Sequence, residues 1–493
     1  MVIEDGRIAW LGRDEEADDL VARWDARTDL DGALVTPGFV DAHVHATTTG
    51  LTLLGLDLSS ARSAAEILDA VARVASRNPG SLILGHGWDH SQWPEPSLPT
   101  AEELSRATSH AAVYLTRVDA HSALVSTPLV MAVPQVRGMR GYADSGWVSQ
   151  EAHHALRDYA LGSLNSADTA RAQEAFLARA LECGIVAVHE MAGPVISSEA
   201  DCKTLLTISR SRPAPLVTAY WGELAQSGGI DRARGIGARG AGGDLFVDGS
   251  LGSRTACMLQ PYRDAPETRG REFIDAESVA THVDLCARAG MQTGFHAIGD
   301  AATQAVIAAY SRAESKHGRE RFMRQRHRLE HAESVGESDI RECARLGIVA
   351  SMQPVFDARW GGQEGMYAER LGWDRARMLN PIGDLHRRGV TVAFGSDAPV
   401  TPLDPWAAVH AAVNHHSPSQ RVSHSVALAA HSRAGWHAVG VDDAGRLDVG
   451  YAAHLAIWEA TEPGGVPVAG ETALRTVIGG ECVYDSGHLE DRT

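Results

Sequence analysis

Histidine and aspartate recur in this chain where they could hold a metal ion. In the stretch 34–50, LVTPGFVDAHVHATTTG, an apolar run delivers Asp41, His43 and His45. Successive side chains of an extended segment alternate faces, so histidines at i and i+2 point the same way and can meet one ion. His296 in GFHAIGDAA, His331 in RLEHAE and Asp397 in FGSDAPV each follow a further apolar run. Together they form an imidazole and carboxylate set that suits zinc, iron or manganese. A lone histidine is often a core residue bonded to backbone, but several strand ends bringing such groups to one rim make a centre.

The elements that must deliver these groups are eight apolar, β-rich runs, at 34–40, 184–188, 215–221, 244–247, 292–295, 327–329, 347–352 and 390–394. Helix-like stretches separate them. That alternation predicts an α/β fold, a (β/α)8 TIM-type barrel spanning 34–442, with its chemistry at the C-terminal ends of the strands. The long gap after the first run predicts an insertion, residues 50–165, over the active-site mouth. Glycine-punctuated strand signals at both ends of the chain predict a composite β-sandwich domain built from 1–33 and 443–493.

At 493 residues and 44% hydrophobic content the chain can bury a large core. Its net charge of −18 argues against nucleic acid or an anionic membrane as partner. No run approaches the roughly 18 apolar residues that a spanning helix needs, and no basic segment precedes an apolar one at the start, so a cytoplasmic location is expected. The six cysteines are scattered, without a C-x-x-C pair, and read as reduced small hydrophobes. Of 45 basic residues only Lys203 and Lys316 are lysines.

GFVDAHVH, GFHAIGDAA, RLEHAE and FGSDAPV resemble motifs of the amidohydrolase superfamily, specifically its amidohydrolase-3 branch, which includes N-substituted formamide deformylases. GHGWD, VDAHSAL, HEMAGP and FVDGSLGSRTA extend the resemblance over nearly the whole chain. It implies a metal-bearing barrel with a β-sandwich, and His43, His45, His296 and Asp397 around a first metal. His331 would ligate a second metal or polarise the substrate carbonyl. Many relatives carry a lysine at the start of the fourth strand, and in binuclear members of the superfamily a carboxylated lysine there bridges two metals. Here Asp244 stands in that place, with a stem expected to be too short to reach as far. One divalent metal is therefore expected, zinc first, with iron or manganese as alternatives. A weaker second site would need Asp248 or Glu190.

The expected activity is hydrolysis of a non-peptide C–N bond, an amide and among amides a formamide or cyclic amide, by metal-activated water. Asp397 would move the proton and His331 would stabilise the oxyanion. The alternatives are deamination of a ring amidine and a vestigial metal-binding protein. His189 and Glu190 are open to roles as ligands, substrate contacts or supports of a ligand. Asp248 and Arg254 sit on a Gly-rich loop, where Arg254 could fork onto a substrate carbonyl or carboxylate. Trp88, Asp89 and His121 are expected to wall the pocket, or in the case of the aromatic to serve as core. The partner is a small-molecule substrate, and a homodimer is the assembly considered.

Overall fold

The computed structural model describes residues 1–17, 27–90, 93–95, 97–118, 122–459, 465–489 and 491–492. The chain divides into two compact units, Met1–Ala46 with Leu177–Thr493, and Thr47–Phe176. The second unit is thus somewhat longer than the insertion expected at 50–165.

In the first unit, parallel strands β1 (Phe39–Val44), β2 (Ile185–Ala192), β3 (Leu216–Trp221) and β4 (Gly240–Ala241) form one sheet, and β5 (His296–Ala297), β6 (Arg328–His331), β7 (Val349–Met352) and β8 (Thr391–Phe394) a second. Bridges Gly240 to Gln292, Phe246 to His296 and Val44 to Ala398 join the two at both seams. The eight parallel segments therefore close into a TIM-type barrel. β1, β2, β6 and β7 are buried at every position, as barrel strands covered on both faces must be. The run at 244–247 is less regular than expected, linked to its neighbour by the single Phe246 bridge and by the Val247 N–H donating to the His296 carbonyl at 3.0 Å.

The first run also divides. Leu34–Pro37 pairs antiparallel with Leu455–Trp458, in a sheet continued by Arg475–Ile478 and Glu481–Asp485. Only the residues after Gly38 enter the barrel. Trp458 of that sheet packs edge-on against Phe39 and Trp406, with ring centroids at 5.8 and 5.3 Å, and its indole N–H donates to Thr36. An aromatic pair of this kind contributes about 0.5–1.5 kcal/mol beyond the area it buries.

The unit Thr47–Phe176 has its own five-stranded sheet, in the order Trp147–Ser149, Ser122–Val125, Val113–Arg117, Ile83–Trp88, Leu56–Asp57. The helix Ala64–Arg77, capped by the Ser63 side chain, lays Ile67, Val71 and Ala75 on its core. Trp88 is fully buried there and donates its indole N–H to the Leu115 carbonyl at 2.9 Å. It is a core residue of this unit, which corrects its expected place on a pocket wall. Asp89 pairs with Arg117 at 2.7 Å, and His121 lies outside the described residues.

Among the described residues Cys183, Cys202, Cys286 and Cys343 are buried free thiols. No helix among them is long and apolar enough to cross a membrane.

Candidate metal centre

The end of β1 carries the first ligands. Asp41 accepts the N–H groups of His43 and Ser396, at 3.2 and 2.9 Å, and so ties β1 to the segment after β8. Gly395 allows that approach, since a Cβ there would sit 2.6 Å from the His43 nitrogen. The Asp397 N–H donates to the His43 carbonyl at 2.8 Å. Asp397 and His331 both hold left-handed backbone, with φ of 53° and 68°. Each costs about 1–3 kcal/mol, a strain characteristic of functional positions.

The side chains converge. Nε2 of His45 lies 3.1 Å from Oδ1 of Asp397 and 3.7 Å from Oδ2 of Asp244, and Nε2 of His43 lies 3.5 Å from Asp397 and 3.9 Å from Asp244. Asp244 Oδ1 is 3.0 Å from Nδ1 of His296 and 3.2 Å from Nε2 of His331. Asp244 thus stands among all four histidines, correcting the expectation that its stem is too short. The reason is the location of the cluster, close over this strand and within reach of a two-carbon side chain.

Among the described residues two groups have ligand atoms mutually within 4.8 Å, His43 with His45 and Asp397, and His43 with Asp244 and His331. His296, expected in the first group, is in neither. Its nitrogens face Asp244 and the Gly249 carbonyl, at 3.0 and 3.2 Å.

The donor set fits a divalent cation. The His43 Nδ1–H donates to Oε2 of Glu330 at 2.9 Å, and its Nε2 is buried with no hydrogen-bond partner among the described residues. The His45 Nδ1–H donates to the Met191 carbonyl at 3.1 Å, and the His331 Nδ1–H to Oε1 of Gln353 at 2.9 Å. In each case the proton is held on Nδ1, and Nε2 faces the carboxylates.

The electrostatics agree. Burial would raise Asp397, but the hydrogen bond from His45 and the adjacent His43 and His331 hold it below the usual carboxylate range. Burial would also raise Asp244, and its bonds to His296 and His331 instead hold it well below. Conversely, burial opposes charging His45 and His331, yet Asp397 raises His45 to about 9 and Asp244 raises His331 to about 10. Two ionised carboxylates beside buried imidazoles are a place for a metal cation, which would displace the proton of an imidazole that ligates it.

Under the ligands runs a buried polar column that sequence reasoning missed. Arg328, fully buried, donates to both oxygens of Glu330 at 2.6 and 2.9 Å, to Nδ1 of His189 at 2.9 Å and to the Ala42 carbonyl at 2.6 Å. Its guanidinium also stacks 4.8 Å over the Tyr220 ring. Burial would raise Glu330, but Arg328 and His43 hold it far below the usual range. Burial, and then Arg328, push His189 well below its ordinary value, so His189 is neutral. A signal was present in RLEH, where opposite charges two apart on a buried strand share a face.

Other expected residues have different employment. Asp248 accepts the N–H groups of Cys257, Ile298 and Gly299, at 2.8, 3.0 and 2.8 Å, and so anchors the Gly-rich loop. Glu190 accepts the Ala46 N–H at 2.7 Å, and burial pushes it up to about 7. Arg254 forks onto Asp264 at 3.1 and 2.7 Å rather than into open space.

A family model described as Amidohydrolase family, Amidohydro_3, matches residues 27–484. YtcJ of Bacillus subtilis is 28% identical over 78% of this chain and 74% of its own. The N-substituted formamide deformylase of Arthrobacter pascens is 23% identical over 83% of this chain and 79% of its own. The crystal structure of an uncharacterized metal-dependent hydrolase from Pyrococcus furiosus superposes with a TM-score of 0.77 at 26% identity, covering 94% of each chain.

Proposed function

We propose that this chain, which belongs to the amidohydrolase family, hydrolyses the C–N bond of a small-molecule amide, a formamide or cyclic amide, with one divalent metal, zinc before iron or manganese. The observation that carries the proposal is the buried, unpartnered Nε2 of His43, set among further imidazoles and two ionised carboxylates at the C-terminal rim of a barrel. The deformylase relative supports the choice of bond. We also take the two chain ends to form one composite β-sandwich.

His43, His45 and Asp397 would hold the metal, with Asp244 beside them. A metal there supplies Lewis acidity towards a carbonyl and makes water a stronger acid at neutral pH. The chain's own residues do the rest. Asp397, ionised at neutral pH, accepts a proton from the attacking water on its carboxylate and returns it to the departing nitrogen. His331 offers an N–H from Nε2 to the oxygen on which negative charge develops. Glu330 keeps the His43 proton on Nδ1, and Arg328 keeps Glu330 ionised. The balance is water plus amide giving carboxylate plus amine.

The test is a panel of linear amides, cyclic amides and ring amidines offered to the metal-loaded protein, with amine, carboxylate and ammonia measured separately. Stoichiometric carboxylate and amine support the proposal. Ammonia from an amidine without carboxylate would replace it with a deaminase.

A further inference from the structure

At the ends of β2 and β3 and along the run after β4 lies a cavity of about 410 Å3. Its wall is Val195, Ile196, Leu245, Phe246, Phe273 and Ile274, with Gly193 and Gly222 where the strands end. Among the described residues Asp244 is the one charged residue lining it. The cavity therefore touches the residue that stands among the four histidines. Phe246 adds a second link, because its ring lies 4.7 Å from that of His296 while the residue lines the cavity. Val195 and Phe273 are 78% and 47% exposed. Large apolar side chains left open at the lip of a cavity are a feature of ligand sites.

We propose that this cavity is the subsite for the part of the substrate that does not react, and that this part is an uncharged apolar group of about the size of a six-membered ring. The inference rests on the amide-hydrolase function proposed above and specifies its substrate. A charged group here would leave water for a wall that is apolar apart from Asp244, and Asp244 is engaged by His296 and His331. Arg254, the residue that the sequence offered for a carboxylate clamp, is occupied by Asp264. Burying a ring against this wall supplies binding that a methyl group cannot.

The experiment uses the metal-loaded full chain with N-cyclohexylformamide, N-methylformamide and N-(carboxymethyl)formamide. The cyclohexyl compound is expected to exceed the methyl compound in kcat/KM by about tenfold or more, with the carboxymethyl compound the poorest. Phe273→Asp and Val195→Trp, both at exposed positions, should each remove that advantage while leaving N-methylformamide within about twofold of the parent, because the small compound does not reach the wall. Equal kcat/KM for cyclohexyl and methyl compounds, or an advantage that survives both substitutions, overturns the subsite. Failure to cleave any formamide would count against the proposed activity and not against the cavity, which is then read by calorimetric titration with cyclohexanol. Binding to the parent that is lost in both variants sustains the subsite, and no binding, or equal binding in all three proteins, overturns it.

Discussion

Oε2 of Glu330 lies 2.9 Å from Nδ1 of His43, and neither side chain is exposed. The carboxylate can only accept, so the imidazole proton is on Nδ1 and one nitrogen, Nε2, remains for a metal. Both candidate ligand groups contain His43. One nitrogen lone pair serves one ion.

From that sharing follows a stoichiometry. Elemental analysis of the purified protein after dialysis should find one tightly held divalent metal per chain. Two equivalents surviving dialysis would mean that His43 is not common to both groups when metal is bound.

Glu330→Gln keeps the shape of the side chain and removes its charge. Gln keeps one acceptor oxygen where His43 and Arg328 now share two, so the charged hold on the His43 Nδ1–H is weakened, and metal affinity should fall about 10–100-fold. Arg328 is left buried without its counter-charge, at a cost of about 3–5 kcal/mol. Competition with a chelator reads the first effect and denaturant unfolding of the metal-free protein the second.

Metal binding should release protons. His45 and His331 hold theirs up to about pH 9 and about pH 10, against an ordinary histidine value of 6.5. Below pH 9 an ion held by His43, His45 and Asp397 must displace the His45 proton, while His331, outside that group, keeps its Nε2–H, so affinity rises with pH and levels off above about 9. The sign reverses for the metal-free fold. Stabilisation from these two charged imidazoles is complete below 6.5 and is lost as pH rises through 9 and then 10. Calorimetry in buffers of different ionisation enthalpy counts the protons, and thermal melts of the metal-free protein between pH 6 and 10 follow the stability.

Asp397→Asn should lower kcat by at least about 100-fold, the usual share of a positioned proton carrier. The fold should survive, since the Asp397 N–H to the His43 carbonyl is a backbone bond that the change leaves in place. Circular dichroism checks the fold, and near-normal turnover would remove Asp397 from the chemistry.

The parts legible in the sequence were those carried by local period. His43 and His45 at i and i+2, and His331 and Asp397 at the ends of apolar runs, could be assigned to one rim because strand alternation and the barrel rule act over a few residues. Trp88 shows the boundary of that reasoning. A tryptophan beside a polar residue fits a pocket wall and a core equally well, and its burial was settled by the sheet that packs around it. Asp244 shows it more sharply, because stem length decides reach only when the distance to be spanned is known.

By itself the sequence determined the alternation of strand and helix, the family motifs and the residue types able to hold a metal, since all of these are properties of neighbours along the chain. Tertiary structure alone decided which carboxylate meets which imidazole. Asp244 joins histidines from three other strands, and Arg328 holds Glu330 under His43 across nearly 290 residues of chain. Those distances depend on how the barrel closes, which no local spacing encodes.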